Sequence, residues 1–571
     1  MSDKFAKVPI ATASRSMHDL SAPHITSTDF GRLDVVYHSQ LVPGDDINVN
    51  VHSFLRCAPM PQPTFGKVYL NVRAFFVPNR ILFADKDYWN NWRNGLTSSS
   101  HPYVNESDLV KLAFKVGPVN PLLNSIYRAD WRRHLSQLGF PERVFNYGES
   151  LGEFTSYDKP YSPFALESYQ RIWWTWYRDS NLIDDSQFSN YIRPLTTGEQ
   201  PVSHLMPRYC CYQKDIFTTA FKNPQNGSAG ATIPVTDYDS NNLIAPFNPD
   251  NVLNSAGTGI AGIQKSTRYN IQFLRAANSL QHYLERNNIA GGRVQARFLA
   301  RFGIQPDNIR LDQPEYCGGF TAPLKIGDVT ANIDLGGEST ETANAFTNIG
   351  ASTAGQLAGK GYVDGGTGDI KYHAKEDGTF MIISTLVPEI FYFQGVPADL
   401  TRGVDNIKED YFTPEYEGLG YEPIKRCQVA ATRLDADATG DVDNQIFGFV
   451  PRYANYKYKL GTVSGDNVLS ETKTGMQGYH LGRGLLTNGI NQAALVPEFT
   501  MITPKDRESL DRIFTYVKDS TSGLVYDHFE GIHLVTNKAV RPMTASKLPQ
   551  LEEDSHSNGK KVTIDNGGMR M

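Results

Sequence analysis

From Leu33 onward polar and apolar positions alternate. Leu33, Val35, Tyr37, Ser39 and Leu41 share one face, and Asp34, Val36, His38 and Gln40 share the other, a period of two that predicts a strand. Pro43 and Gly44 suit the centre of a type II turn, because proline presets φ and glycine accepts a positive φ. A second alternation runs through Ile47, Val49, Val51, Ser53, Leu55 and Cys57. After the break PMPQP, a third places Val68, Leu70, Val72, Ala74 and Phe76 on one face, with Tyr69, Phe75 and Val77 on the other. A strand that is apolar on both faces is one covered on both sides. Strand character returns at 379–393, 445–450 and 532–535.

Between these strands the period changes. Tyr169, Ile172, Trp173, Trp176 and Tyr177 recur at i, i+3, i+4, i+7 and i+8, the spacing of an amphipathic helix. Phe273, Ala277, Leu280 and Leu284 repeat it until Gly291 and Gly292, and Val294, Phe298 and Phe302 resume it. Stretches 224–262 and 327–375 are rich in Gly, Asn, Thr, Ala and Asp, and read as exposed loops. Residues 1–30 carry Lys4, Lys7, Arg15, His18 and His24 among small residues without a sustained period, and read as an extended arm. The organisation expected is an arm at 1–30, one all-β domain at 31–543 and a tail at 544–571. Helical insertions fall near 85–206 and 267–303. No linker divides the β domain.

Composition narrows the function. With 48 Gly and 32 Pro in 571 residues the chain is turn-rich, as a β protein with long loops is. A net charge of −6 supplies no global basic field for nucleic acid, so contact with a phosphate backbone has to be local or delegated to a partner. The five cysteines form no CxxC pair and read as reduced thiols. No apolar run reaches the roughly 18 residues of a membrane span, and the N-terminus lacks a signal-peptide core, so a cytoplasmic site of synthesis with no membrane partner is expected.

Catalytic and metal motifs are incomplete. Gly148, Ser150 and Gly152 match GxSxG, but EFTSYDKPYSPF follows where the nucleophile elbow needs a helix. Gly359 and Lys360 end a faint P-loop likeness that has Ala354 and Gly361 in place of its first glycine and its magnesium ligand. Asp435, Asp437 and Gly440 begin like a calcium loop, yet Ile446 stands where a glutamate belongs. No cofactor or metal is expected. One run does carry binding chemistry: Arg452, Tyr453, Tyr456, Lys457, Tyr458 and Lys459 could stack bases and neutralise phosphates. The preferred reading is a strand at a subunit contact, since interfaces also favour Tyr and Arg.

The segment HSQLVPGDDINVNVHSFLRCAPMPQPTFGKVYLNVRAFFVPNRILF resembles the opening of microvirus major capsid proteins, particularly the gokushovirus-like branch. SYQRIWWTWYRDSNL, KDIFTTAFKNPQNG, the stretch from LRAANSLQHYLERNN to LDQPEYCGG, GFVPRYANYKYKLGTVSGD and AVRPM resemble further elements of that family in the same order. The resemblance runs from about residue 28 to 543. FKNPQ and Tyr421 depart from the family's usual residues and mark a distant branch.

The resemblance implies an eight-stranded antiparallel jelly roll, and a T=1 icosahedral shell built through pentamers around a circular single-stranded DNA genome. It implies a virion protein, assembled in the bacterial host cytoplasm, that has no enzymatic activity. Its expected partners are copies of itself, the genome, a small basic DNA-packaging protein and a host surface receptor. Arg452, Tyr456, Lys457 and Lys459 are then the candidates for DNA contact, and Trp173, Trp176, Tyr177, Phe273 and Leu284 for contact between subunits. Two rivals stand beside this reading. A carbohydrate-binding or carbohydrate-active β-sandwich would show two facing carboxylates in a cleft, and a single-strand DNA-binding protein would show steep salt dependence as an isolated subunit.

Overall fold

The computed structural model describes residues 15–60, 64–84, 101–114, 121–141, 159–225, 236–237, 245–246, 271–290, 299–300, 303–304, 307, 311–326, 330–332, 356–358, 361–401, 414–431, 445–468, 476–485, 495–514 and 527–543. The GxSxG motif, Gly359-Lys360 and the Asp435–Gly440 stretch lie outside them.

The three N-terminal alternations form strands. After two short strands, β1 (Ser16–Asp19) and β2 (Ala22–Thr28), come β3 (Asp34–Leu41), β4 (Asp46–Cys57) and β5 (Val68–Pro78). Gly44 has φ 93°, and the Asp45 amide donates to the Val42 carbonyl at 3.0 Å, closing the turn between β3 and β4. Later strands are β6 (Glu315–Pro323), β7 (Lys325–Ile326), β8 (Gly361–Gly366), β9 (Ile370–His373), β10 (Gly378–Pro388), β11 (Tyr421–Lys425), β12 (Ile446–Pro451) and β13 (Phe529–Arg541).

Two antiparallel sheets carry the fold. In one, β13 lies against β4, with Phe529 opposite Cys57 and Val540 opposite Asp46. The far edge of β4 takes β8 and β9 in succession, and the far edge of β13 takes β2 and β1. The other sheet has the order β6, β5, β10, β3. Val49, Val51 and Leu55 of the first sheet and Leu70, Val72 and Phe76 of the second belong to one core. Phe76 meets Tyr372 of β9 at 4.9 Å between ring centroids. Full burial of such a side chain stabilises by about 1.5–3 kcal/mol. Phe75 points the other way, towards Trp176 and Tyr177, at 5.9 Å from each. A helical layer therefore covers the second sheet's outer face, and every residue of β10 is buried.

That layer contains α1 (Glu106–Phe114), α2 (Pro121–Gln137) and α3 (Phe164–Ile172), the last continuing as a π-helical turn over Trp173–Tyr177. Past the end of α2, Gly139 takes φ 84°. Its amide donates to Ser136 and that of Phe140 donates to Leu135, so two otherwise orphaned carbonyls are satisfied. Helix α4 spans Ile271–Ala290, and a later helix, α6 (Pro504–Leu510), starts at a Thr503–Asp506 capping box. The label α5 is given to the short turn Ala454–Lys457 between them.

Arm, sheets and helices meet at a buried charge network. Arg32 donates to Asp34 at 2.6 Å, to Asp130 of α2 at 3.0 Å and to both oxygens of Asp527 at 2.8 Å each. Arg507 of α6 also grips Asp130, whose second oxygen accepts from the Tyr209 hydroxyl at 2.6 Å. Gln137 donates to Asp34 at 2.9 Å, and Arg133 sits 3.2 Å from Asp527. The guanidinium groups hold the Asp527 and Asp130 carboxyls below the usual range against the opposing cost of desolvation, whereas for Asp34 burial wins and pushes the carboxyl up.

Two expectations change. The described part of the N-terminal arm forms β1 and β2, both paired to β13. Of the stretch expected as an exposed loop at 327–375, residues 361–373 supply β8 and β9, with Val363 and Ile370 buried. Glycine hid β8: a Cβ on Gly365 would stand 2.6 Å from the Ala322 Cβ, so the close approach of β8 to β6 demands the residue that reads as a loop former.

Candidate functional site

The hairpin of β11 and β12 presents the basic and aromatic run. Tyr421 pairs with Pro451 at its open end, and the chain then turns through Tyr453, which takes a left-handed φ of 61°. Residues 454–457 are the helical turn α5, which corrects the expected strand: the alternation of Tyr and Lys that looks strand-like instead follows a chain reversal. A left-handed tyrosine is a costly conformation, held here by complete burial of the ring.

Each candidate for DNA contact has a definite place. The Arg452 guanidinium lies over the Tyr416 and Tyr453 rings at 5.4 and 5.3 Å, and its Nε has no hydrogen-bond partner among the described residues. Tyr456 is 53% exposed and meets Tyr453 edge-on. Lys457 pairs with Glu417 at 2.7 Å and Lys459 with Asp399 at 3.5 Å. Both pairs are exposed, and such pairs contribute only about 0–1 kcal/mol. Arg452 and Lys459, together with Tyr458, line a cavity of about 480 Å³; Tyr456 and Lys457 lie outside it. The cavity is floored by Ile216, Phe217, Tyr392, Ile424, Val450 and Leu460, around a second apolar cluster separate from the sandwich core. No periodicity in the sequence announces it, because its walls come from four distant stretches.

The candidates for subunit contact divide. Trp173 is only 2% exposed, donates to the Tyr209 carbonyl at 3.1 Å and lies under the Arg208 guanidinium at 4.3 Å. Its ring is consumed by this chain's own core, which corrects the expectation that it faces a neighbour. Trp176 donates to the Pro314 carbonyl at 3.0 Å, and it and Tyr177 both pack on Phe75 with part of their surface left open. Burial drives the Tyr177 hydroxyl well above its ordinary pKa. Helix α4 is different: Leu274, Leu280, Tyr283 and Ile289 are about half exposed or more, and Leu284 is half-buried. The Phe273 side chain lies outside the described residues.

Two facing antiparallel sheets overlaid by helices, with a 20-residue helix presenting apolar side chains outward, describe a structural protein shaped to meet other chains. The model of the phage family described as Capsid protein (F protein) matches residues 6–124 and 152–527, and the chain belongs to that family. It is similar to proteins named Capsid protein VP1 in three viruses. Identity is 25% with that of Bdellovibrio phage phiMH2K, over 81% of this chain and 84% of the relative. It is 23% with that of Chlamydia phage 1, over 81% and 86%, and 22% with that of Spiroplasma virus 4, over 78% and 81%. The chain is a microvirus capsid protein, and its family is structural.

Proposed function

We propose that copies of this chain close into a T=1 icosahedral shell, through pentamers, around a circular single-stranded DNA genome. The shell wall is the β-sandwich, taken as an eight-stranded jelly roll. What carries the reading is α4: among the described residues this long helix leaves Leu274, Leu280 and Ile289 about half exposed or more, an apolar surface for a neighbouring copy. Leu284 belongs to that contact, with Phe273 on the same helix, and Trp176 and Tyr177 supply further contacts elsewhere on the subunit. Modest affinity at each contact suffices, because many contacts close one shell.

A net charge of −6 is consistent with leaving most neutralisation of the genome to a small basic packaging protein, while Arg452, Tyr456, Lys457 and Lys459 supply local contacts. Polar stretches 224–262 and 327–355 are the candidates for recognising a host surface receptor. Assembly takes place in the bacterial host cytoplasm. Expressed chain examined by analytical ultracentrifugation and negative-stain microscopy is expected to show pentamers or closed shells. A stable monomer at high concentration under native conditions would overturn the proposal.

A further inference from the structure

The cavity beneath the β11–β12 hairpin has a shape and lining that suit a ligand. Its volume of about 480 Å³ falls within the range of small-molecule sites. Its floor is apolar and includes two rings, Phe217 and Tyr392, held edge to face at 5.0 Å. Its rim carries three cations, Lys425, Arg452 and Lys459, against two carboxylates, Asp399 and Glu422. Gln428 and Asn455 bring side-chain amides, which can both donate and accept, to the same walls. Tyr458 stands at the mouth, 64% exposed.

We propose that this cavity takes one unpaired nucleotide of a single strand, with the base on the apolar floor and the phosphate at the cationic rim. This rests on the reading that the shell encloses single-stranded DNA. An apolar ligand alone would leave the cations without purpose, and an inorganic anion alone would leave the aromatic floor bare. A nucleotide uses both, because every base offers a flat apolar face and every backbone unit an anion. Lys459 is available for exchange: its side chain is 83% exposed and its ion pair with Asp399 spans 3.5 Å, so a phosphate can replace that carboxylate. Arg452 brings a second cation to the same lining, its guanidinium held over the Tyr416 and Tyr453 rings. The amides of Gln428 and Asn455 give the base edge partners without demanding one base.

The test is fluorescence anisotropy of a labelled oligothymidylate with the full-length protein across a salt series. A photocrosslinking arm uses the same strand carrying 5-iododeoxyuridine. The paired surface change Tyr458→Ala with Lys459→Gln alters only exposed side chains, and Ala398→Trp fills the cavity from its wall. Wild type should bind with salt-dependent affinity and crosslink at Tyr392 or Tyr458. Each variant should bind about tenfold or more weakly, with an unchanged melting temperature. Variants that bind as wild type does would place the DNA contact elsewhere and overturn this inference while leaving the genome reading intact. A wild-type protein that binds no oligonucleotide at all would remove both.

Discussion

Arg32 and Asp527, 495 residues apart, meet in a two-pronged ion pair with both bonds at 2.8 Å, beneath a surface that leaves 1% and 2% of their side chains exposed. Fork-to-fork geometry of this kind fixes orientation as well as distance. The pair ties the segment before β3 to the segment before β13, and through Asp130 it ties both to α2.

Removing one partner leaves the other charged and buried. Asp527→Asn is therefore expected to lower stability by about 3–5 kcal/mol, because Arg32 and Arg133 lose a shared carboxylate. Chemical denaturation of the isolated subunit measures it. A loss below about 1 kcal/mol would show that water or relaxation reaches the site.

Acid should weaken the fold well above the carboxylate range. His134 and His533 are both pushed down to about 3, chiefly by burial, from an ordinary value near 6.5. Between those values the unfolded chain binds more protons than the folded one, so stability rises with pH. The stabilisation from keeping these rings neutral is complete above about pH 6.5 and drains away as pH falls towards 3. The melting temperature followed from pH 7 to pH 4 should drop steadily, and His134→Phe should make that slope shallower. An identical slope in the variant would mean that His134 is not among the protons taken up.

Assembly and stability should separate at α4. Leu280 and Ile289 are 49% and 70% exposed, so Leu280→Lys with Ile289→Lys should change subunit stability by no more than about 0.5 kcal/mol. Shell formation, read by sedimentation, should be abolished. Shells that still form would clear this helix of any part in subunit contact.

A glycine control discriminates packing from loop freedom. Gly365→Val drives a side chain against Ala322 and Phe320 and should cost about 1–3 kcal/mol. Gly368→Ala has nothing within 4 Å and should be near neutral. Equal effects on thermal stability would show that β8 does not press on β6 as described.

The strands β3, β4 and β5 were legible because one face of each alternates cleanly, and the burial of Ile47, Val49, Val51, Ser53 and Leu55 repeats the sequence period. The presence of α4 was legible in the same way, from the helical spacing of Phe273, Ala277, Leu280 and Leu284. Strand β8 was not, since its glycines answer to a neighbour that no local pattern reveals, and β9 is only four residues long. Trp173 was misplaced because a helical stripe of aromatics looks the same whether it meets a second chain or its own sheet. The charge network left no local trace: Arg32, Asp130, Arg507 and Asp527 lie in distant parts of the chain, and each alone reads as a solvated surface residue.

The pairing of β1 and β2 with β13 sets a schedule for synthesis. Met17 finds its partner in Val540, so the ladder cannot be completed until residue 540 has left the ribosome. Contacts of such long sequence separation make folding slow. They also keep an unfinished subunit from offering a complete wall to its neighbours, so truncated products are disqualified from the shell by topology alone.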